Sequence, residues 1–256
     1  MKNRENLLSV IVPAYNEEDN IVDCVKQVGD ALSSSQRAFE ILVVNDGSTD
    51  ETLQRASSLS KSCDFVRTID LGANFGKPTA LKEGLRRAKG DIVAFFDADL
   101  QYDPKDLVKM ADLIGNGVDF VNGNRDYNGY GASRTAFSKL YNRIVSLLFR
   151  TELKDSNCGV KVITRKAADP NSLFQYGLPL VVPLLKVRRF KSRELDVALH
   201  ERKNGESKYF ENGRFLGGPK NIWDLTYHSV MLFSLLAHAP MESRRQKTRL
   251  DKTVSS

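Results

Sequence analysis

Ile92-Val93-Ala94-Phe95-Phe96-Asp97-Ala98-Asp99-Leu100-Gln101 joins an unbroken apolar run to a cluster of oxygen-bearing side chains. A short continuous apolar run bounded by polar residues reads as a strand buried on both faces, the kind that occupies a parallel sheet. In an extended segment side chains alternate faces, so Asp97, Asp99 and Gln101 point one way while Val93 and Phe95 stay buried on that parity. Carboxylate and amide oxygens suit Mg²⁺ or Mn²⁺ in preference to zinc. Such hard cations keep waters and substrate phosphates in their remaining positions, so an open carboxylate pair implies a phosphate-bearing ligand. A solvated strand end before a helix is the plainer reading of the same residues. Asp103-Pro104 supplies the N-cap and N1 of that helix, with Asp106 at N3.

Outward from this strand the chain alternates. Leu7 to Val12, Phe39 to Val44, Phe65 to Leu71 and Val118 to Val121 read as further strands, and 17–33, 49–60, 74–89 and 104–115 as amphipathic helices. A β-α-β-α order favours a mostly parallel sheet with helices on both faces, whose ligands bind beyond the strand C-termini. The polar clusters fall there: Pro13 to Glu17, Asn45 to Asp50, Gly72 to Lys77 and Asp97 to Gln101 each follow a strand. Beyond residue 123 the periodicity weakens. A basic amphipathic helix at 136–150, a strand-like piece at Glu194 to Leu199 and a last helix at 219–237 stand out, before a basic tail from Glu242.

The loops carry distinct chemistry. Tyr15 offers a ring to stack on a base and Glu17 a carboxylate for its N–H groups; alternatively Asn16 caps the first helix. Ser48 and Glu51 have the spacing of a capping box, so Asn45-Asp46-Gly47 opens a helix, with Asp46 either on a nucleoside or in a plain turn. Gly72 to Lys77 is one residue short of a P-loop and lacks its Ser/Thr, which excludes a nucleotide hydrolase of that type. Lys77 either reaches phosphates or simply starts a helix. Arg125, Arg134 and Lys139, and later Arg202, Ser207 and Lys208, are natural partners for phosphate oxygens, although surface loops often look the same. His200, His228 and His238 have no nucleophile or carboxylate at a telling spacing.

Bulk composition sets the outer limits. With 256 residues, 41% hydrophobic and 27% charged, the chain can bury an ordinary core. Its formal charge of +6 fits phosphate ligands or an anionic membrane surface, and fits many soluble proteins equally. Cys24, Cys63 and Cys158 are odd in number and far apart, so neither a disulfide framework nor a zinc site is implied, and a reducing cytoplasm is the simplest setting. The N-terminus leaves no room for a signal peptide before the first strand, and Val230 to Ala239 is about half of a ~20-residue membrane span. Basic residues interleaved with acidic ones, without an aromatic RNA motif, argue against nucleic acid.

Taken together, Val12-Pro13-Ala14-Tyr15-Asn16-Glu17, Val44 to Asp50, Asp97 to Gln101 and Arg202 to Lys208 resemble glycosyltransferase family 2. The closest likeness is to its polyprenyl-phosphate sugar synthases, the group of dolichol-phosphate mannose synthase. The resemblance spans about residues 7–215 and implies a GT-A-type nucleotide-diphosphosugar transferase fold with a catalytic domain over 1–215. Its donor half would be about 1–123 and its acceptor half about 124–215. Residues 216–241 would follow as a helix, interfacial or core, and 242–256 as a mobile tail.

By the same resemblance Pro13, Tyr15, Glu17 and Asp46 would meet the nucleoside, and Lys77 the phosphates. Asp97, Asp99 and Gln101 would hold Mg²⁺ or Mn²⁺, with Asp97 on the metal or the ribose. Arg125, Arg134 and Ser138 would meet the acceptor phosphate while Arg202, Ser207 and Lys208 close over the phosphates. Asp155, Gly159 and Lys161 also match the family, without an assigned role, and Asn45 stands where many relatives carry Asp. The implied reaction is inverting sugar transfer from a GDP- or UDP-sugar to a polyprenyl phosphate. Its setting would be the cytoplasmic face of a membrane, through peripheral contact and with a membrane-anchoring subunit or a second copy as partner. Relatives that act on sugar hydroxyls carry a Glu-Asp pair as general base, and none occurs in 140–200. The alternatives are a polysaccharide-building transferase of the same family and a non-catalytic nucleotide-sugar-binding module.

Overall fold

A computed structural model describes residues 7–35, 37–126, 132–149, 151–152, 154–174, 178–200, 210–211 and 214–215. The anticipated helix at 219–237, the tail, and Arg202, Ser207 and Lys208 lie outside the described residues. The first half follows the expected alternation: β1 (Leu8–Ala14), α1 (Ile21–Ser34), β2 (Phe39–Asn45), α2 (Thr52–Ser62), β3 (Val66–Asp70), α3 (Lys77–Arg87), β4 (Ile92–Phe95), α4 (Pro104–Asp112) and β5 (Phe120–Arg125). Then come α5 (Ala132–Phe149), β6 (Lys161–Thr164), α6 (Val181–Val187) and β7 (Ser192–Val197), with a small hairpin of β8 (Phe210–Glu211) and β9 (Arg214–Phe215).

Seven strands form one sheet in the order β3-β2-β1-β4-β6-β5-β7. β3, β2, β1 and β4 are parallel, and β6 runs antiparallel between β4 and β5. β6 was not visible in the sequence pattern. Its register pairs Lys161 with both Phe95 and Asn122, which sets this lysine beside the end of β4.

The strands are apolar on both faces because helices cover both. Leu8, Val10 and Val12 pack with Ile21, Val25 and Val28 of α1, Ala56 and Leu59 of α2, and Leu107 and Met110 of α4. Ile11, Leu42 and Val44 pack on the other face with Ala80, Leu81 and Leu85 of α3 and Val181, Val182 and Leu185 of α6. Each such fully buried side chain contributes roughly 1.5–3 kcal/mol of transfer free energy. Arg165 closes the C-terminal end of α3, donating to the carbonyls of Leu85, Ala88 and Gly90 at 2.7–3.1 Å.

Helix starts differ in part from expectation. Asp103 caps α4 as anticipated, its side chain accepting from Lys105 N at 2.8 Å, with Pro104 in the first turn. The capping box at Ser48 does not form, because α2 begins at Thr52 and the Ser48 hydroxyl accepts from Asn16 N. Nor does Asn16 cap α1, which starts at Ile21 behind Asn20.

Candidate active site

The loops after β1 and β2 are clipped together beyond the sheet. Asn16, held at φ 55°, donates its N–H to Ser48 Oγ (3.0 Å) and accepts from Thr49 N (2.9 Å). Glu17 N donates to Thr52 Oγ1 (2.8 Å), and Glu17 Oε2 accepts from the buried Asn20 amide (2.8 Å). Pro13 and Tyr15 are half-buried on the same rim.

Asp46 turns inward. Its two carboxylate oxygens accept from Phe75 N (2.8 Å) and Gly76 N (2.9 Å), so it pins the loop between β3 and α3. Gly47, at φ 67°, lies so close to that loop that a Cβ would come within 2.5 Å of Asn74 N. Asn45 donates to Asp70 Oδ1 (2.8 Å) and accepts from Ser48 N. An amide rather than a second carboxylate suits that neighbour, since two adjacent carboxylates would repel.

The pinned loop delivers Lys77, the first residue of α3, to Asp97: Nζ and Oδ1 are 2.5 Å apart. Asp97 and Asp99 do not continue a strand, as alternation required. β4 ends at Phe95, and the chain turns through Ala98 and Asp99 into Leu100 at φ 57°. Asp99 is buried and its Oδ1 accepts from Gln101 N (3.3 Å). Gln101 joins the segment before residue 201, donating Nε2 to His200 O (3.2 Å) and accepting from His200 N (2.8 Å). A turn, not strand parity, therefore sets the directions of the three residues.

Burial pushes the Cys24 thiol far up, and Asp99, Asp97 and Glu17 push it further, so three carboxylates bear on one sulfur beneath the turn. Cys24 Sγ also contacts Asp97 O at 3.8 Å. Burial works to raise the Asp97 carboxyl, but the Lys77 ammonium foremost, then Lys161 and Arg125, hold it below the ordinary carboxylate range.

Two of those cations come from β5 and β6. Arg125 ends β5 and grips the fully buried Asp155 by Nε (2.6 Å) and Nη2 (2.9 Å), a bidentate pair. Lys161 is buried on β6 and donates to Cys158 O, and desolvation lowers its pKa. The next residue, Ser156, donates both N–H and hydroxyl to Asn142 of α5 (3.0 and 2.9 Å). This ties the segment to the helix that bears Arg134 and Ser138. Ser138 is half-buried there; the Arg134 side chain is outside the described residues.

Asp155, Lys161, Asn142, Tyr102 and Cys24 are the site residues that sequence reasoning left without a role. The family likeness of 155–161 signalled the first two; nothing in spacing or composition signalled the others.

Among the described residues no three of His, Cys, Asp and Glu form a metal-ligand set. The oxygens of Asp97, Asp99 and Gln101 nevertheless fit a hard divalent cation whose remaining positions are filled by phosphate and water. A Cβ at residue 159 would fill the space beside Asp97, and glycine keeps it open.

Known proteins resemble this chain in sequence and fold. The profile described as glycosyl transferase family 2 matches residues 9–169. The undecaprenyl-phosphate 4-deoxy-4-formamido-L-arabinose transferase of Pseudomonas paraeruginosa is 31% identical over 80% of this chain and 60% of its own length. The putative glycosyltransferase CsbB of Bacillus subtilis is 27% identical over 90% and 70%. The Salmonella choleraesuis transferase of the same name as the first is 27% identical over 79% and 62%. The chain thus spans only 60–70% of the length of these relatives.

Among solved structures, Mycobacterium tuberculosis glucosyl-3-phosphoglycerate synthase with Mn²⁺, UDP-glucose and phosphoglyceric acid superposes with a TM-score of 0.65. It is 19% identical, over 92% of this chain and 80% of that one. The same enzyme with Mn²⁺, UDP and phosphoglyceric acid gives 0.64 at 19% identity, over 91% and 78%. The α/β architecture is therefore of the GT-A type, and with the profile covering well over half of its residues the chain belongs to glycosyl transferase family 2.

Proposed function

We propose that the protein transfers a sugar from a nucleotide-diphosphosugar to a polyprenyl phosphate, with inversion at the anomeric carbon. The observation that carries this reading is the convergence of Lys77, Lys161 and Arg125 on Asp97 beyond the strand C-termini, a concentration of positive charge suited to two phosphate-bearing substrates. Relatives named for transfer to undecaprenyl phosphate support it.

In this reading Pro13, Tyr15 and Glu17 face the nucleoside, while Asp46 acts through the loop it pins. Asp97, Asp99 and Gln101 hold Mg²⁺ or Mn²⁺, which when bound neutralises charge on the departing nucleoside diphosphate. Arg125, Arg134 and Ser138 present the acceptor phosphate, and Arg202, Ser207 and Lys208 close over the phosphates. A phosphate is already ionised near neutral pH, so these residues orient it and offset its charge, and no side chain has to deprotonate it.

Membrane contact falls to α5. Tyr141, Val145 and Phe149 pack with Leu180 and Leu184, so one side of the helix is core. Leu140, Ile144 and Leu147 are exposed on the other side, next to Lys139 and Arg143. This is the composition of a helix lying in an anionic interface. Among the described residues no helix is long and apolar enough to cross a membrane.

The test is transfer of radiolabelled sugar from a panel of GDP- and UDP-sugars to polyprenyl phosphate with Mn²⁺ or Mg²⁺, comparing wild type with Asp99→Ala. Lipid-linked product that the variant does not form is the expected result. Donor binding without lipid product would move the acceptor to a sugar hydroxyl, and no donor binding would end the transferase reading.

A further inference from the structure

Lys77 and a divalent cation have claims on the same oxygen. Asp97 Oδ1 lies 2.5 Å from Lys77 Nζ, and the side chains are 41% (Lys77) and 19% (Asp97) exposed, so the ion pair sits at the mouth of the site. The other carboxylate oxygen faces Gly159. A cation approaching Asp97 Oδ1 from solvent therefore meets the ammonium already on that oxygen. Like charges at that separation repel strongly, and Lys161 and Arg125 add to the same positive field.

The lysine can leave. Its four-carbon stem springs from the N-terminal residue of α3, and an ammonium is a compact charge that exchanges partners without the fixed geometry of a guanidinium. A diphosphate entering beyond the strand ends gives it another anionic partner, and its departure releases Asp97 to the metal.

We propose that Lys77 holds the place of the divalent cation on Asp97 until a nucleoside diphosphate draws it away, so that metal and donor bind as a coupled pair. This rests on the metal-and-diphosphate reading of the site given above. Coupling of this kind is reciprocal: whatever removes the ammonium from Asp97 tightens metal binding. The device would keep the site from holding metal without donor, and would place the lysine on phosphate in the bound state.

The experiment is Mn²⁺ binding to the full chain, followed by electron paramagnetic resonance without nucleotide, for wild type, Lys77→Met and Lys77→Arg. Lys77→Met keeps the stem and removes the charge; it should bind Mn²⁺ roughly tenfold or more tightly than wild type. Lys77→Arg keeps the charge and should bind as weakly as wild type. UDP and GDP affinities, measured without metal, should fall in Lys77→Met. Equal or weaker Mn²⁺ binding by Lys77→Met would overturn the exchange while leaving the metal site in place. If no form binds Mn²⁺, even with UDP or GDP in excess of the amount that chelates free metal, the exchange and the metal reading fall together.

Discussion

Gly159 faces the Asp97 carboxylate so closely that a Cβ there would lie 2.8 Å from Asp97 Cγ and 3.0 Å from Tyr102 Cε2. The backbone of residue 159 is also fixed, since its N–H donates to the Tyr102 hydroxyl at 3.1 Å. Neither wall can yield without moving the turn that bears Asp99. Gly159→Ala is expected to cost about 1–3 kcal/mol in stability, as overpacking does. It should weaken Mn²⁺ binding and lower sugar transfer by roughly 100-fold through misplacement of the carboxylate. Thermal melts beside Mn²⁺ titration check this; unchanged Mn²⁺ affinity would show that the Asp97 position does not matter to the metal.

Arg125 and Asp155 form the most buried ion pair among the described residues, with side chains 14% and 0% exposed. Asp155 also accepts from Asn157 N (3.1 Å), and burial, which alone would raise its pKa, is outweighed by Arg125 and then Lys161, which hold it down. Asp155→Ala leaves a guanidinium without its bidentate partner and should cost about 3–5 kcal/mol. Removing both groups should cost less than the sum, because the double variant has no orphaned charge. A double-mutant cycle by urea unfolding measures this, and additive single effects would contradict the pairing. Arg125→Lys should preserve more stability than Arg125→Ala yet lose transfer, since an ammonium cannot reproduce the fork.

Particular residues show how far the sequence led. β1 to β4 and the helices between them were legible because buried parallel strands are written as continuous apolar runs and helices as 3.6-residue periods. β6 is only four residues long, and its antiparallel place between β4 and β5 is a tertiary choice that no local pattern encodes. α6 hid for a related reason: Val181 to Leu185 are all buried, so the segment has no polar face to mark its period.

Within the candidate site, Asp97, Asp99 and Gln101 were legible as oxygen-bearing residues after an apolar strand, but the argument from strand parity was wrong because Leu100 turns at φ 57°. The capping-box spacing at Ser48 misled because a hydroxyl can serve only the neighbour the fold brings, here Asn16, 32 residues away.

The exposed stripe of α5 gives a prediction about location. Leu140, Ile144 and Leu147 are 58%, 43% and 78% exposed, and replacing all three with Ser should leave stability within about 0.5 kcal/mol per site, as surface changes do. Binding to vesicles containing anionic lipid should fall sharply and the remainder should be salt-sensitive, owing to Lys139 and Arg143. Cosedimentation that is the same for both proteins would take α5 out of the interface.

At the opposite end of the sheet Glu40 staples β1, β2 and the turn before β4. Oε1 accepts from Ser9 Oγ (2.7 Å) and Lys89 N (2.6 Å), and Oε2 from Arg67 (3.0 Å), while Gly90 N donates to Ser9 Oγ (2.8 Å). Burial alone would raise this carboxyl, but the Ser9 hydroxyl, the Lys89 amide and Arg67 together lower it from its ordinary 4.5. A depressed folded pKa means that the stabilisation is complete above the unfolded value and is lost as pH falls through the folded one. Glu40→Gln should therefore cost roughly 1–3 kcal/mol at neutral pH. The gap between the two proteins should narrow as the pH falls through the depressed folded pKa of Glu40, below which both forms carry a neutral side chain at this position. Urea unfolding across that range decides it, and a gap that stays constant would mean that packing, and not the charge on Glu40, holds this end of the sheet together.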